Sequence, residues 1–340
     1  MKSKQITDSM FSEKMYILKA IAIISVITAH SYYFAIPNQL VVFILGRFAR
    51  MGVFTFFVLS GYYYKKVKFS IFIHKLLTNL VIPWIIIGTL MYGFAIRATD
   101  DLSFSGYINY IIGNGSSLYF CTMLFLIKIL FWFLPIEKCK ARIICYICIC
   151  LTVLSLLLTA MGVLPQDSIP SLAFYEYCNP YLNLFNWLGI FSLGILMREF
   201  ELLKKWVDND WKNNILLIIC CIIFIFCSLE NYYSYWSYLG VYTEFSIFYI
   251  VLKIIYNVNT KKMHMLFVNI GKNTYPIFLL HYPLLSFLSR NEQYRQKIGV
   301  AVILPIICVI ILYACFFIIG KIAKTLRVEK ILSCVTGIKG

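Results

Sequence analysis

The chain is divided into apolar runs of membrane-crossing length, and the first two, between Tyr16 and Tyr64, carry ionisable side chains inside them. That stretch reads YILKAIAIISVITAHSYYFAI, a short uncharged turn, then FILGRFARMGVFTFFVLSGYYYKK. A bilayer core takes about 20 apolar residues as a helix. A chain crossing it must satisfy its peptide groups internally. Lys19, His30, Arg47, Arg50 and the pair Ser60-Gly61 interrupt these two runs. An ionisable group in a bilayer costs several kcal/mol unless it is partnered or used, so these positions are candidates for function.

Ten such stretches follow one another: Tyr16 to Ile36, Leu40 to Tyr64, Ile73 to Ile96, Ser117 to Leu134, Ala141 to Val163, Tyr181 to Met197, Asn214 to Leu229, Tyr235 to Tyr256, Met265 to Leu288 and Gly299 to Ile319. Hydrophobic residues make up 61% of the chain and charged ones 14%, against about 25% charged in soluble domains. No connection is long enough for a soluble domain of about 50 residues. The expected fold is therefore all-α: a polytopic integral membrane protein of about ten transmembrane helices, with residues 1–340 forming a single membrane domain and no soluble domain. MKSKQITDSMFSEK leads into the first run without a small-residue cleavage site, as a retained first helix does.

The formal charge of +16 is distributed by connection. Lys65, Lys66, Lys68 and Lys75, Lys138 to Arg142, Arg198 to Lys212, Lys261 and Lys262, and the tail from Lys321 fall on one side with Lys2, Lys4 and Lys14. Arg97, Arg290, Arg295 and Lys297 fall on the other. This asymmetry places both termini in the cytoplasm and accounts for the basic excess without a nucleic-acid partner. The tyrosine clusters Tyr32-Tyr33 and Tyr62 to Tyr64 mark interfaces. Twelve cysteines sit mostly within apolar runs, without paired loop His or Cys, as small hydrophobes rather than metal ligands or disulfides. No internal repeat supports an inverted-repeat transporter.

Lys19 and His30 lie eleven residues apart, which returns to within roughly 20° of one helix face and sets His30 about 16 Å further along. The ordinary alternative is a snorkelling lysine and a histidine bonding between helices. Arg47 and Arg50 share a face at i and i+3, either as interfacial anchors or as acceptor-holding groups. Ser60-Gly61 also suits a close helix approach. In LFVNIGKNTYPIFLLHYPLLSFL, Pro276 and Pro283 bracket His281 and are expected to free backbone carbonyls in a broken helix, tolerated only against protein or a polar cavity. His30 and His281 lie at comparable distances from the inner ends of their helices and are expected to face one cavity. Lys128, Glu244 and Lys253 are read only as interhelical partners.

Together these residues resemble the membrane-bound acyltransferase type 3 family, which includes bacterial O-acetyltransferases of surface polysaccharides. The resemblance lies in the basic residue, ten residues and His of Lys19 to His30, in FFVLSGYYYK at Phe56 to Lys65, in IPW at Ile82 to Trp84, in SLYFCTMLFL at Ser117 to Leu126, in SLGILM at Ser192 to Met197, and in IGKNTYPIFLLHYPLL at Ile270 to Leu285. It implies ten helices with cytoplasmic ends, an acyl-CoA donor, and key residues at Lys19, His30, Ser60 and Gly61. Tyr16 stands where relatives commonly carry an acidic residue, and HKLLTNLVIP supplies Lys75 where relatives often have two basic residues.

The resulting expectation is an acetyl-CoA-dependent O-acyltransferase of the bacterial cytoplasmic membrane, acting on a hydroxyl of a cell-surface carbohydrate or its lipid-linked precursor. No permanently bound cofactor and no metal are expected. Acyl-CoA is a co-substrate, and membrane lipids and a second copy of the chain are the other expected partners. His30 is the catalytic base, since imidazole has an unperturbed pKa near neutrality. Lys19, Lys75 and the lysines at 65, 66 and 68 serve the donor. Arg47, Arg50 and His281 serve the acceptor, with His281 positioning it by hydrogen bonding. A transporter or polymerase component for lipid-linked glycans, with Arg47 and Arg50 holding a pyrophosphate, is the alternative.

Overall fold

Apolar runs of this length bury their peptide groups by coiling, and the computed structural model is helical apart from one antiparallel pairing of β1 (Ile169–Pro170) with β2 (Tyr177–Cys178) among the described residues. It describes residues 8–31, 39–96, 103–114, 116–136, 138–161, 163, 169–170, 177–178, 180–207, 210–229, 238–257, 261–288 and 298–338. In chain order the helices are α1 (Asp8–Ser31), α2 (Gln39–Tyr62), α3 (Phe69–Leu76), α4 (Ile82–Ile96), α5 (Phe104–Ile112), α6 (Tyr119–Phe133), α7 (Lys138–Ala160), α8 (Leu184–Glu199), α9 (Leu202–Val207), α10 (Trp211–Leu229), α11 (Tyr238–Asn257), α12 (Lys261–Lys272), α13 (Thr274–Leu288), α14 (Ile298–Thr325) and α15 (Glu329–Thr336). Each apolar stretch of the sequence falls on one or two of them, and α5, α9 and α15 are short additions. Phe69–Phe94, Lys140–Ala160 and Val302–Thr325 are long and apolar enough to cross a membrane. Tyr119–Phe133, Trp211–Phe226 and Thr274–Leu288 are shorter apolar helices. Lys2, Lys4, Tyr32-Tyr33, Arg97, Arg290, Arg295, Lys297 and most of the 164–180 connection lie outside the described residues.

Two departures from plain helices follow from proline and asparagine. A π turn at Leu77–Val81 joins α3 to α4. Pro83, the second residue of α4, has no N–H for the carbonyl of Asn79, and a widened turn absorbs such a slip. The ninth apolar stretch breaks at Asn273, between α12 and α13, so Pro276 sits in the first turn of α13, where its missing donor is tolerated. Pro283 alone lies inside the helix, two residues beyond His281.

The helices form two compact units, Met1–Phe56 with Met197–Cys315, and Phe57–Leu196 with Phe316–Gly340. In the first, α1 packs on α11, α12 and α13, and α10 packs on α11. Leu18, Ile23, Ile27, Phe54 and Phe248 are its fully buried apolar centre. Small residues let α1 and α2 approach closely. Ser25 Oγ donates to the carbonyl of Phe48 at 2.7 Å, and a Cβ on Gly52 would meet the Ala22 carbonyl at 2.7 Å. Lys14 Nζ donates to the carbonyl of Ile255 at 2.6 Å, capping the end of α11. Burial lowers the Lys14 ammonium below its ordinary pKa, against the pull of Glu13.

The second unit is organised around aromatic rings. Phe57 stacks on Trp187 at 4.7 Å and meets Phe120 edge-on at 5.0 Å. Trp84 Nε1 donates to the Ile111 carbonyl at 3.0 Å, which tethers α4 to the end of α5. That end closes at Gly113, whose φ of +90° and bonds to Asn109 and Tyr110 carbonyls make a left-handed cap that only glycine adopts freely. The short helix α15 packs on α4.

Candidate active site

The two intrahelical histidines meet. His30 lies in the last turn of α1 and His281 near the middle of α13, with ring centroids 5.0 Å apart and planes tilted by 42°. Tyr282 presents its ring edge-on to His30 at 5.8 Å. His281 is fully buried, while His30 is only half-buried. His281 Nδ1 lies 2.5 Å from the carbonyl of Phe278, one turn back on its own helix. Its Nε2 is buried with no hydrogen-bond partner. A buried polar atom left unpaired costs about 1–3 kcal/mol, so an orphan of this kind asks for an explanation.

Further back on α1, Tyr16 receives two ammonium groups, one from its own helix and one from the end of α12. Lys19 Nζ lies 5.3 Å and Lys272 Nζ 6.0 Å from its ring centroid. The ring that replaces an expected acidic residue thus attracts cations through its π face rather than by charge. Gly271 makes this possible by lying against the Tyr16 backbone carbonyl, where a side chain has no room. Lys272 was not foreseen as a partner of Lys19. Its place inside IGKNTYP was visible, but its nearness to Tyr16 depends on how α12 crosses α1.

Arg47 and Arg50 are both buried in the first unit. The Ser25 contact with Phe48 sets them roughly one to two turns below His30, at about 1.5 Å per residue. Arg50 acts electrostatically on Glu244 of α11, which is buried and has one oxygen, Oε1, without a hydrogen-bond partner. Lys253, also on α11, is buried to 2% exposure. The sequence showed Glu244 as a charge within an apolar run, the one signal available. Its partner on another helix was not legible. Buried charges are retained only when paired or used, so Glu244 joins Arg47 and Arg50 as a candidate.

Ser60, Gly61 and Lys75 belong to the second unit. Gly61 faces the Phe191 carbonyl of α8, and Gly194 of α8 faces the Val58 carbonyl of α2, in both cases at a distance no Cβ permits. Gly61 therefore serves a close approach of two helices. The motifs FFVLSG and SLGILM are the two sides of one contact. Ser60 is half-buried beside it. Lys75 is exposed in the last turn of α3, next to exposed His74. Cys121, Cys145, Cys148, Cys220 and Cys308 are buried.

The first unit thus carries a neighbouring pair of histidines on two of its helices, in a helical chain with three helices long and apolar enough to cross a membrane among the described residues. The acyltransferase domain of the acyltransferase 3 family matches residues 14–320, and the chain belongs to that family. Comparison with curated proteins and with solved structures gives no significant match. The matched span contains every motif from Lys19 to Leu285, and family membership supports an acyltransferase.

Proposed function

We propose that this protein is an integral membrane O-acyltransferase that moves an acyl group, most simply acetyl, from acyl-CoA to a hydroxyl of a cell-surface carbohydrate or its lipid-linked precursor. The observation that carries the proposal is the histidine pair: two imidazoles 5.0 Å apart within apolar helices of an acyltransferase. Ester formation from a thioester needs a group that removes the hydroxyl proton and a group that returns one to the leaving sulfur. Imidazole does both near neutral pH. His30 is the catalytic residue of this reading. Arg47, Arg50 and His281 hold the acceptor, and Lys19 holds the donor. Ser60, Gly61 and Lys75 are proposed donor-site residues, Gly61 by keeping α2 and α8 in contact. The direct test is release of coenzyme A thiol from acetyl-CoA by purified protein, dependent on a glycan acceptor. No acceptor-dependent thiol with any surface glycan of the host would sink the proposal.

The donor end is proposed at the Tyr16 cluster, where two ammonium groups converge on one ring and favour a phosphate-bearing ligand. Lys19→Ala is expected to raise the KM for acetyl-CoA several-fold with little change in kcat. It should have less effect on acetyl-pantetheine, which lacks the nucleotide phosphates. Arg50→Ala should leave the donor KM unchanged and raise that of the acceptor. A donor shift with Arg50→Ala and none with Lys19→Ala would reverse this orientation.

The proposed topology is one membrane domain over residues 1–340, with ten crossings and both termini cytoplasmic in the bacterial cytoplasmic membrane. It follows from the charge asymmetry of the connections. Ser168→Cys in a background without other reactive thiols should be labelled by an impermeant maleimide in intact cells. Labelling only after lysis would invert the topology.

A further inference from the structure

We propose that His281, through Nε2, is the proton acceptor of the acyl transfer, with His30 facing the acyl group across the pair. This rests on the acyltransferase reading and gives the proton-abstracting role to the histidine that the sequence had assigned to acceptor positioning. The geometry fixes the tautomer. A carbonyl oxygen only accepts hydrogen bonds, so the contact of His281 Nδ1 with the Phe278 carbonyl at 2.5 Å requires hydrogen on Nδ1. In a neutral ring Nε2 is then a bare lone pair. That atom is buried and bonds nothing.

A packing role does not account for this arrangement. A buried histidine that joins helices spends its nitrogens across the interface. His281 instead spends one on its own helix and leaves the other unused. It also makes no hydrogen bond to His30 through Nε2, although the rings are neighbours. The missing partner of a bare imidazole nitrogen must be a hydrogen-bond donor, and the hydroxyl of the acyl acceptor is one. The half-buried His30 is the ring of the pair with remaining access, suited to the side from which the thioester arrives.

The step balances without further reactants. The acceptor oxygen attacks the thioester carbonyl carbon as its proton passes to His281 Nε2. The new C–O bond forms, the tetrahedral intermediate collapses with cleavage of the C–S bond, and the coenzyme A thiolate takes a proton that passes from the imidazolium through His30. The products are the ester and free thiol, with both rings neutral. While His281 is cationic, the Nδ1–H bond to Phe278 becomes charge-assisted and strengthens. The backbone carbonyl thereby orients the ring and stabilises its charge, as a carboxylate does in a hydrolase triad.

Two substitutions in the full-length protein separate this role from a structural one. In His281→Asn the shorter amide can keep the bond to the Phe278 carbonyl but places nothing at Nε2. In His281→Gln the amide reaches the Nε2 position without a basic nitrogen. Both are expected to lose about 10² to 10⁴ in kcat for acceptor-dependent thiol release, with acetyl-CoA binding unchanged. His281→Asn with near wild-type kcat would overturn the inference while leaving the acyltransferase reading intact. Failure of the unaltered protein to transfer at all would instead remove that reading. Should either variant not fold, the unaltered protein labelled with ¹⁵N-histidine decides. His281 is expected as the Nδ1–H tautomer with an Nε2 resonance that moves when acceptor is added. An Nε2–H tautomer, or no movement, would overturn the assignment.

Discussion

Replacing His30 by Gln is expected to leave a folded protein that binds acetyl-CoA and fails to transfer the acyl group. His30 lies at the end of α1, half-buried and 5.0 Å from His281. Gln is close to it in size and can donate and accept hydrogen bonds, so packing is preserved, but an amide does not exchange a proton near neutral pH. The loss should appear in kcat, by about 10² to 10⁴, because the missing interaction operates in the transition state and not in donor binding. Thiol release at saturating acetyl-CoA measures it, with calorimetric binding of acetyl-CoA as the control for the fold. Turnover near that of the unaltered protein would leave His30 as a structural residue. The double variant His30→Gln/His281→Asn adds a sharper test. Two rings serving one proton-transfer step are not independent, so the double loss should be far smaller than the product of the single losses. Multiplicative losses would place the two histidines in separate steps.

The helices were legible because membrane-length apolar runs leave no other conformation. Their irregularities were legible only in part. Pro276 announced a break that the structure places three residues earlier, at Asn273, because a proline in the first turn needs no donor and the preceding asparagine ends the helix more cheaply. The π turn before Pro83 had no periodicity to betray it. The short helices α5, α9 and α15 lack the length of a membrane span and were passed over. Within the site, the nearness of His30 and His281 agrees with the expectation drawn from their similar positions along their apolar runs. Position along a run is a one-dimensional quantity that sequence supplies. The partners of Arg50 and Tyr16 required knowing which faces of α11 and α12 turn inward. Nothing in Glu244 or Lys272 alone encodes that choice.

The glycine pair Gly61 and Gly194 should be the point at which the second unit is most easily destroyed. Each lies against the backbone of the facing helix, Gly61 at the Phe191 carbonyl and Gly194 at the Val58 carbonyl. Neither obstacle is the movable end of a side chain. A Cβ at position 61 must push α2 and α8 apart. The separation reaches Phe57 and Trp187, stacked at 4.7 Å, and Tyr64 and Phe191, 5.7 Å apart, so aromatic contact is lost along the whole seam. Overpacking usually costs about 1–3 kcal/mol. Gly61→Ala should therefore lower the melting temperature measurably. Gly61→Val, with two further methyls and a stiff χ1, should exceed what a marginal stability of about 5–15 kcal/mol tolerates in company with the lost stacking, and yield little monodisperse protein. Ser60→Ala is the control, since it removes a hydroxyl without adding volume and should fold normally. Size-exclusion profiles and melting curves in one detergent compare the three. A Gly61→Val protein that elutes as a single species and melts with the unaltered chain would show that α2 and α8 do not depend on this contact.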